Sequence, residues 1–443
     1  MRIKSCILTT TLIIYAAAVG VAVASQPSDS VKSDKGGDTA MGADALRMLS
    51  YGYQNTAAGA GALSANSGGY KNAAFGYYAL GANQLGSNNA AFGSGALNLS
   101  TGSYDNSAFG MDALYSTMTG SGNVAVGSHA LYNNQSGSGN VALGYYALSL
   151  SIDGGSNIAV GSSALGNDTS GYDNVAVGDS ALFLNLTGNY NTAIGGAAMY
   201  YAQSGSYNVA SGNGALGGYL TGNWNVAYGA YSLGTNNDGS NNVAVGGRAL
   251  TNVDGSGNVG VGFSAGSNLI SGSNNIYIGN QGVDGESGII RVGTSGTHTQ
   301  VFVAGIYATN VRGSAVMVNS SGQLGVVVSS ERFKTDVAPM SDTERLDQLR
   351  PVTYRLKSDP KGPKQYGLIA EQVAKVYPEL VIRNENGRID GVRYDELAPM
   401  LLNELQRERR QRGREVAELK QQLADMRAAV LELQENERRL VVR

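Results

Sequence analysis

Apolar and polar positions alternate with a fixed period through the long N-terminal part of the chain. The pentapeptide Asn-h-Ala-h-Gly, in which h is usually apolar, begins at Asn55 and recurs every 17 residues to Asn275, except for one step of 16 from Asn242 to Asn258. Asp38 opens one earlier unit, which makes fifteen. Period-two alternation predicts a short strand, with larger apolar residues on one side and Ala on the other, where only a methyl group fits. Glycine at the fifth position predicts a bend with positive φ.

Each 17-residue unit is expected to form one coil of a parallel β-solenoid shaft over residues 38–288. One coil cannot bury its own apolar face, so the coils must stack. At about 4.8 Å per coil the shaft would be roughly 70 Å long, with Asn over Asn and Gly over Gly. Disordered low complexity is the alternative, but a disordered chain gains nothing from keeping apolar residues in phase. A solenoid this thin has a small core, which favours oligomerisation.

The pattern changes after the repeats. Residues 289–328 contain β-patterned runs broken by Gly, Asn and Ser, which predict a small strand-rich neck. The last part is mixed or helical and ends in a heptad repeat. The a positions hold Val416, Leu423 and Val430, and the d positions hold Leu419, Met426, Leu433 and Leu440.

Earlier residues continue these heptads imperfectly. Leu402 and Leu405 keep the same phase, whereas Arg409, Arg412 and Gly413 interrupt it. We predict a coiled coil at about 394–440 that serves as an oligomerisation handle. A solvated amphipathic helix packed on its own domain is the alternative, and heptads alone do not fix the number of strands.

The first 24 residues have the pattern of a cleaved secretory signal peptide. Basic residues precede an apolar run that ends in an A-x-A-like site at Ala22-Val23-Ala24, and residues 25–37 read as a linker. A retained membrane anchor is the alternative. We expect a secreted or cell-surface protein with no stable membrane insertion after signal removal. The single cysteine, Cys6, lies in the signal, so no disulfide framework is expected.

Charge divides the chain at Ser329. Of 31 Lys and Arg residues, 22 lie from Ser329 onward, as do 20 of 34 Asp and Glu residues, and Glu286 is the only glutamate before that point. Neither part has the basic excess that suggests nucleic acid as a partner. The sparse acids of the shaft do not match calcium-binding repeats or the paired carboxylates of a glycosidase.

The remaining side chains suggest little chemistry in the shaft. His129 and His298 are the only histidines, so we expect solvated surface rather than a Ser-His pair or a metal site, and no cofactor. Tyrosine pairs such as Tyr77-Tyr78 and Tyr145-Tyr146 are either packing groups or an exposed adhesive surface for a glycan or another cell-surface ligand.

Two resemblances follow from these motifs. Asn-h-Ala-h-Gly is similar to the head repeats of trimeric autotransporter adhesins, which are left-handed parallel β-rolls joined as trimers. This resemblance implies the coil geometry and a homotrimer, although the period here is longer. The C-terminal part resembles the intramolecular chaperone auto-processing domain of phage endosialidases, tail spikes, tail fibres and myelin regulatory factors. The motifs that carry it, in order, are Ser329 to Lys334 (SSERFK), Tyr354-Arg355-Leu356, Tyr366-Gly367-Leu368-Ile369-Ala370, Tyr377-Pro378-Glu379-Leu380-Val381 and Val392-Arg393-Tyr394, before the heptads.

The second resemblance implies a small α+β chaperone domain over residues 329–443. In that family a Ser begins the domain and a Lys five residues later completes a Ser-Lys dyad, which by position are Ser329 and Lys334. Ser330 stands where an Asp is common and leaves a second hydroxyl as a possible nucleophile. Glu371-Gln372 also reverses the order found in many members.

The dyad chemistry is coherent without the family. A serine hydroxyl needs an adjacent base, and Lys334 is the only nearby candidate, if burial or a cation such as Arg332 keeps it neutral. Ser329 would attack the carbonyl carbon of Val328, and water would hydrolyse the ester formed. We predict single-turnover autoproteolysis between Val328 and Ser329. An uncleaved structural fibre with a C-terminal trimerisation domain and a polysaccharide-degrading spike are the alternatives.

Overall fold

The computed structural model describes residues 32–218, 221–235, 238–304, 315–319, 321–326, 328–384 and 386–441. The predicted signal peptide lies outside the described residues. The chain divides into two compact units, residues 1–304 and 305–443. Among the described residues, no helix has the length and apolar character needed to cross a membrane.

The first unit is a parallel β-solenoid, which confirms the predicted fold of the repeats. One three-residue strand comes from each unit of the repeat, and the sheet continues for one strand beyond them. In chain order the strands are β1 Lys32–Ser33, β2 Thr39–Met41, β3 Thr56–Ala58, β4 Ala73–Phe75, β5 Ala90–Phe92, β6 Ser107–Phe109, β7 Val124–Val126, β8 Val141–Leu143, β9 Ile158–Val160, β10 Val175–Val177, β11 Thr192–Ile194, β12 Val209–Ser211, β13 Val226–Tyr228, β14 Val243–Val245, β15 Val259–Val261, β16 Ile276–Ile278 and β17 Ile290–Val292.

Neighbouring coils pair in strict register. Strands β2 to β17 are parallel to one another, and the central Ala of one strand lies opposite the central Ala of the next, as Ala108 does opposite Ala125. Strand β1 pairs antiparallel with β2 and closes the N-terminal edge of the sheet. The residues of this strand were predicted as linker, so ordered chain begins before the first repeat.

The core of each coil is built from the small side of the strand. Ala125 is fully buried, and so are Ala130 and Leu131 of the Ala-Leu pair in the same coil. The two flanking strand residues, Val124 and Val126, instead remain more than one third exposed. The larger apolar residues of the strands therefore point away from the coil interior.

Asparagine forms a ladder along one corner of the shaft. The backbone N–H of Asn106 donates to Oδ1 of Asn89, one coil earlier, at 3.0 Å. The Asn106 Nδ2 group donates to the carbonyl of Gly120 at 2.9 Å. The same bonds recur in most coils, and these asparagines are buried. Because a buried amide without partners would destabilise the fold, this satisfied ladder explains why every repeat after the first begins with Asn.

The bends use left-handed backbone conformations. Gly110 has a φ of 139°, and a Cβ there would overlap the carbonyl group of Gly127 in the next coil. Positive φ at the fifth position, predicted from the repeat, is thus confirmed. Leu131 also has a positive φ, 52°, as do the equivalent leucines of other coils. This conformation is unfavourable for leucine, so the full burial of its side chain must offset the strain.

A polar cluster closes the C-terminal end of the solenoid. Tyr277 replaces the core alanine of β16, is fully buried, and donates its hydroxyl to Glu286 Oε1 at 2.9 Å. Arg291 of β17 holds the same carboxylate through Nε and Nη2, the latter at 2.7 Å. The only glutamate of the shaft therefore stabilises its last coil.

The second unit is a small α+β fold followed by a long helix. It contains the hairpins β18 (Val316–Val318) with β19 (Leu324–Val326), β20 (Val352–Tyr354) with β21 (Gln365–Gly367), and β22 (Val381–Arg383) with β23 (Ile389–Val392). Its helices are α1, Ala370–Val376, and α2, Tyr394–Val441, with 3₁₀ turns at Glu331–Phe333, Glu344–Gln348 and Pro378–Leu380. The buried core consists of Val373, Tyr377, Leu380, Val381, Val392 and Leu397.

Candidate functional site

The predicted cleavage site follows directly after the β18–β19 hairpin. Strand β19 ends at Val326, the first of three consecutive valines. Val327 lies outside the described residues, and Val328 is in no strand. The scissile bond predicted between Val328 and Ser329 is therefore on an irregular segment, which leaves its carbonyl outside the sheet ladder.

One 3₁₀ turn brings the two predicted dyad residues together. The turn spans Glu331–Phe333 and begins at Ser330, which acts as N-cap without a side-chain capping bond. The Lys334 backbone N–H donates to the carbonyl of Glu331 at 2.9 Å. This tight turn folds Lys334 back over the start of the domain, so that its Nζ lies 3.2 Å from Ser329 Oγ. The catalytic role of the pair stays a prediction, but the spacing of five residues produces the required contact.

In a single chain the dyad is open to solvent. Ser329 and Lys334 are both exposed, and so are all residues between them. Apolar side chains around the dyad are also uncovered, since Val328 and Phe333 each expose 56% of their surface. The Arg332 guanidinium lies 4.6 Å from the centre of the Phe333 ring, so it packs on an aromatic face.

The tyrosines of the motifs hold the second unit together. Tyr377 is buried and donates its hydroxyl to the carbonyl of Asp342 at 3.1 Å, while the Arg345 guanidinium lies over its ring. The hydroxyl of Tyr394 accepts a bond from the Leu368 backbone N–H at 2.7 Å. These residues join the strands to the start of α2.

A second network ties the helix to the segment that follows the dyad. The Thr343 hydroxyl is buried and donates to Glu404 Oε2 at 3.1 Å. Arg407 pairs with Glu404 at 2.7 Å and with Glu344 at 2.9 Å. The motifs did not point to this network, because its members lie about sixty residues apart and are common surface residue types.

Comparison with known families agrees with this part of the fold. Residues 329–382 match a peptidase family described as chaperone of endosialidase, which confirms the resemblance seen in the motifs. The match begins at Ser329 and ends before β23 and α2. No curated protein and no solved structure matches the chain. The family is associated with trimeric fibres, and such a domain behind a β-solenoid shaft fits a fibre or spike protein.

Other candidate groups lie on the surface of the shaft. Contrary to expectation, His129 is not simply solvated. Its Nδ1 lies 2.8 Å from Ser128 Oγ, its Nε2 lies 3.7 Å from Asp112 Oδ2, and its ring stacks on Tyr146 at 4.7 Å. These contacts make the histidine part of a side-chain ladder between coils. Within the described residues, no group of three or more His, Cys, Asp or Glu side chains could hold a metal ion.

The tyrosine pairs are surface groups rather than core groups. Tyr77 exposes 60% of its surface, and its ring meets that of Tyr78 edge-on. Tyr145 and Tyr146 repeat this arrangement four coils further along the shaft. An adhesive role for these rings stays a prediction.

One buried residue was missed by the sequence analysis. Asp168 is fully buried in a second polar column, whose members recur every 17 residues. Members of this column are Asn66, Asn83, Ser100, Thr117, Asn134, Ser151, Asp168 and Asn185. Burial raises the pKa of Asp168 to about 7, against the opposing effect of hydrogen bonds from Asn185 and Gly171. Alignment of the repeats at this position could have revealed it, because the column is otherwise neutral.

Proposed function

We propose that the protein is an exported homotrimeric fibre, or adhesin-like surface protein, whose C-terminal domain directs trimerisation and folding and then releases itself. Release occurs by autoproteolysis between Val328 and Ser329. The contact of Lys334 Nζ with Ser329 Oγ at 3.2 Å, at the first residue of the family match, is the observation that carries this proposal.

An exposed apolar stripe on the shaft supports association of chains. The third residue of successive strands is large and apolar in most coils, and Phe75, Phe92 and Phe109 stack along the axis at 4.8 and 5.0 Å. Val126 and Leu143 continue the stripe, and all five side chains are between one third and one half exposed. A continuous apolar stripe of this length is typical of an interface. The trimer would bury it.

The heptads of α2 provide a second apolar surface. Val416, Leu419 and Leu423 are each about half exposed or more. In a parallel coiled coil they would form the a and d layers. Near-identical repeats can pair out of register, and long-range pairing is slow. A trimeriser at one end would align three chains while the coils form, and its removal would trap the product.

The reacting groups of the proposed cleavage are the dyad, the carbonyl of Val328 and water. Neutral Lys334 accepts the proton of Ser329 Oγ, and Oγ attacks the carbonyl carbon of Val328. The C–N bond breaks, the Ser329 nitrogen takes up a proton, and an ester links Val328 to Ser329 Oγ. Water then hydrolyses the ester, giving a Val328 carboxylate and a free Ser329 amine. Because the dyad is exposed in one chain, packing of neighbouring chains would supply the dry surroundings that favour a neutral amine.

Denaturing electrophoresis of freshly expressed protein tests cleavage. We expect a fragment whose N-terminal residue is Ser329. Ser329→Ala and Lys334→Ala should each leave the chain whole, whereas the matched control Ser330→Ala should still be cut. A fragment that persists in Ser329→Ala would refute the assignment.

The exposure of the dyad also gives weight to the uncleaved alternative. A structural fibre that keeps its C-terminal domain would show only the intact chain for wild type and for all three variants. Light scattering would then still report a trimer. The self-cleaving fibre and the uncleaved fibre therefore differ in whether a fragment forms, and both hypotheses predict a trimer.

A further inference from the structure

Helix α2 carries two arginines within its apolar stripe. The helix is continuous from Tyr394 to Val441, so a single heptad register applies along it. In that register Arg409 falls seven residues after Leu402 and seven before Val416, at a. Arg412 likewise follows Leu405 at d. Both arginines thus face the partners of any coiled coil that the stripe forms.

The two arginines differ in how their charge is balanced. Arg412 Nη2 lies 3.5 Å from Glu408 Oε2 on the same helix. The neighbouring Arg407 is paired with Glu344 and Glu404. Among residues 315–438 that the structure describes, Arg409 is exposed and has no ion pair or side-chain hydrogen bond. Its charge is therefore available to a ligand.

The partner helices would not neutralise Arg409. In a parallel coil a g residue faces the following e residue of its neighbour. Glu415 then faces Lys420 and forms an attractive pair, whereas Glu408 faces Gly413, which has no side chain. Glu408 is already used by Arg412. Three guanidinium groups would meet around the axis, where unpaired charges are strongly unfavourable.

We propose that three copies of Arg409 bind one tetrahedral oxyanion, such as sulfate or phosphate, on the axis of the coiled coil. The inference rests on the trimer of the proposed function. A tetrahedral anion presents three equivalent oxygens about one axis, and each guanidinium can hold an oxygen edge with two N–H groups. The charged layer would also fix register, because a slip of one heptad would place Arg409 against Leu402 or Val416.

Equilibrium dialysis with labelled sulfate tests this site on the full-length Ser329→Ala chain. We expect one sulfate per three chains at saturation. Hydrogen exchange of residues 402–416 should slow in parallel, by about a hundredfold when sulfate is at about a hundred times its Kd. Arg409→Leu should abolish both effects. Arg410→Leu, which removes an exposed arginine at the outward b position, should retain both.

The outcomes separate the site from the assembly on which it rests. A trimer that takes up neither sulfate nor phosphate overturns the anion site and leaves the proposed function intact. Equal uptake by Arg409→Leu also overturns the site, because general salt stabilisation does not need this residue. A chain that light scattering finds to be monomeric overturns the proposed function and the site together.

Discussion

Replacement of Asp168 by asparagine should stabilise the shaft. Asp168 Oδ1 accepts bonds from Asn185 Nδ2 at 2.7 Å and from the Gly171 N–H at 3.2 Å. Its Oδ2 is buried with no hydrogen-bond partner among the described residues. In the equivalent place Asn185 Nδ2 donates to the carbonyl of Gly188 at 3.0 Å. An asparagine at 168 would give the same bond to Gly171 and remove a buried charge.

The raised pKa of Asp168 sets the magnitude of the effect. A shift from 3.8 to about 7 corresponds to about 4 kcal/mol at 1.36 kcal/mol per pKa unit. The folded state binds a proton between these two values that the unfolded state does not. The penalty is therefore fully present above pH 7 and fades as the pH falls towards 4, so that roughly 3 kcal/mol of it is gone by pH 4.5.

Hydrogen exchange of the coils around Asp168 measures this difference locally, which suits a repeat protein whose coils open separately. Protection factors, corrected for the intrinsic exchange rate, should be lower at pH 8 than at pH 4.5 in the wild type. Asp168→Asn should raise them at pH 8 and flatten the pH dependence. Asp173→Asn changes an exposed aspartate in the same coil and should leave the dependence unchanged. Equal or lower protection in Asp168→Asn at pH 8 would refute the reasoning.

Two further predictions concern the end cluster and the stripe. Because Arg291 lowers the pKa of Glu286, this carboxylate stabilises the last coil above its unfolded pKa, and the effect is lost as the pH falls through the lower folded value. Glu286→Gln should lower the stability of the last coil by about 1–3 kcal/mol near neutral pH, which would appear as faster hydrogen exchange in β16. The last coil of this variant should not lose further stability in acid. Unchanged exchange in β16 would contradict the role of Glu286. Val126→Glu should break up the trimer in light scattering, whereas Ser136→Glu, exposed in the same coil, should not; a trimeric Val126→Glu would remove the stripe from the interface.

The repeat alone determined much of the shaft. Its period predicted the number of coils, the short strands, the positive φ of the fifth residue and the stacking of Asn on Asn. These features are local or follow from translation along the shaft, because the contacts of a residue such as Asn106 recur at the equivalent residue in most coils. The family resemblance of the motifs pointed to Ser329 and Lys334, whereas their five-residue spacing alone is a weak signal. Their contact needs no distant residue, because one tight turn brings them together.

Only the tertiary structure decided which side of each strand is inside. Period-two alternation shows that Val124 and Val126 share a side and that Ala125 has the other, but it does not show which side faces the core. Ala125 lies inside because the Ala-Leu pair of the same coil fills the remaining space, so the larger residues are left on the outer surface of the coil. The buried position of Asp168 and the closing of the shaft by Glu286 likewise depend on residues from neighbouring coils. Burial and partner bonds arise only when the coils stack, and composition carries no record of them.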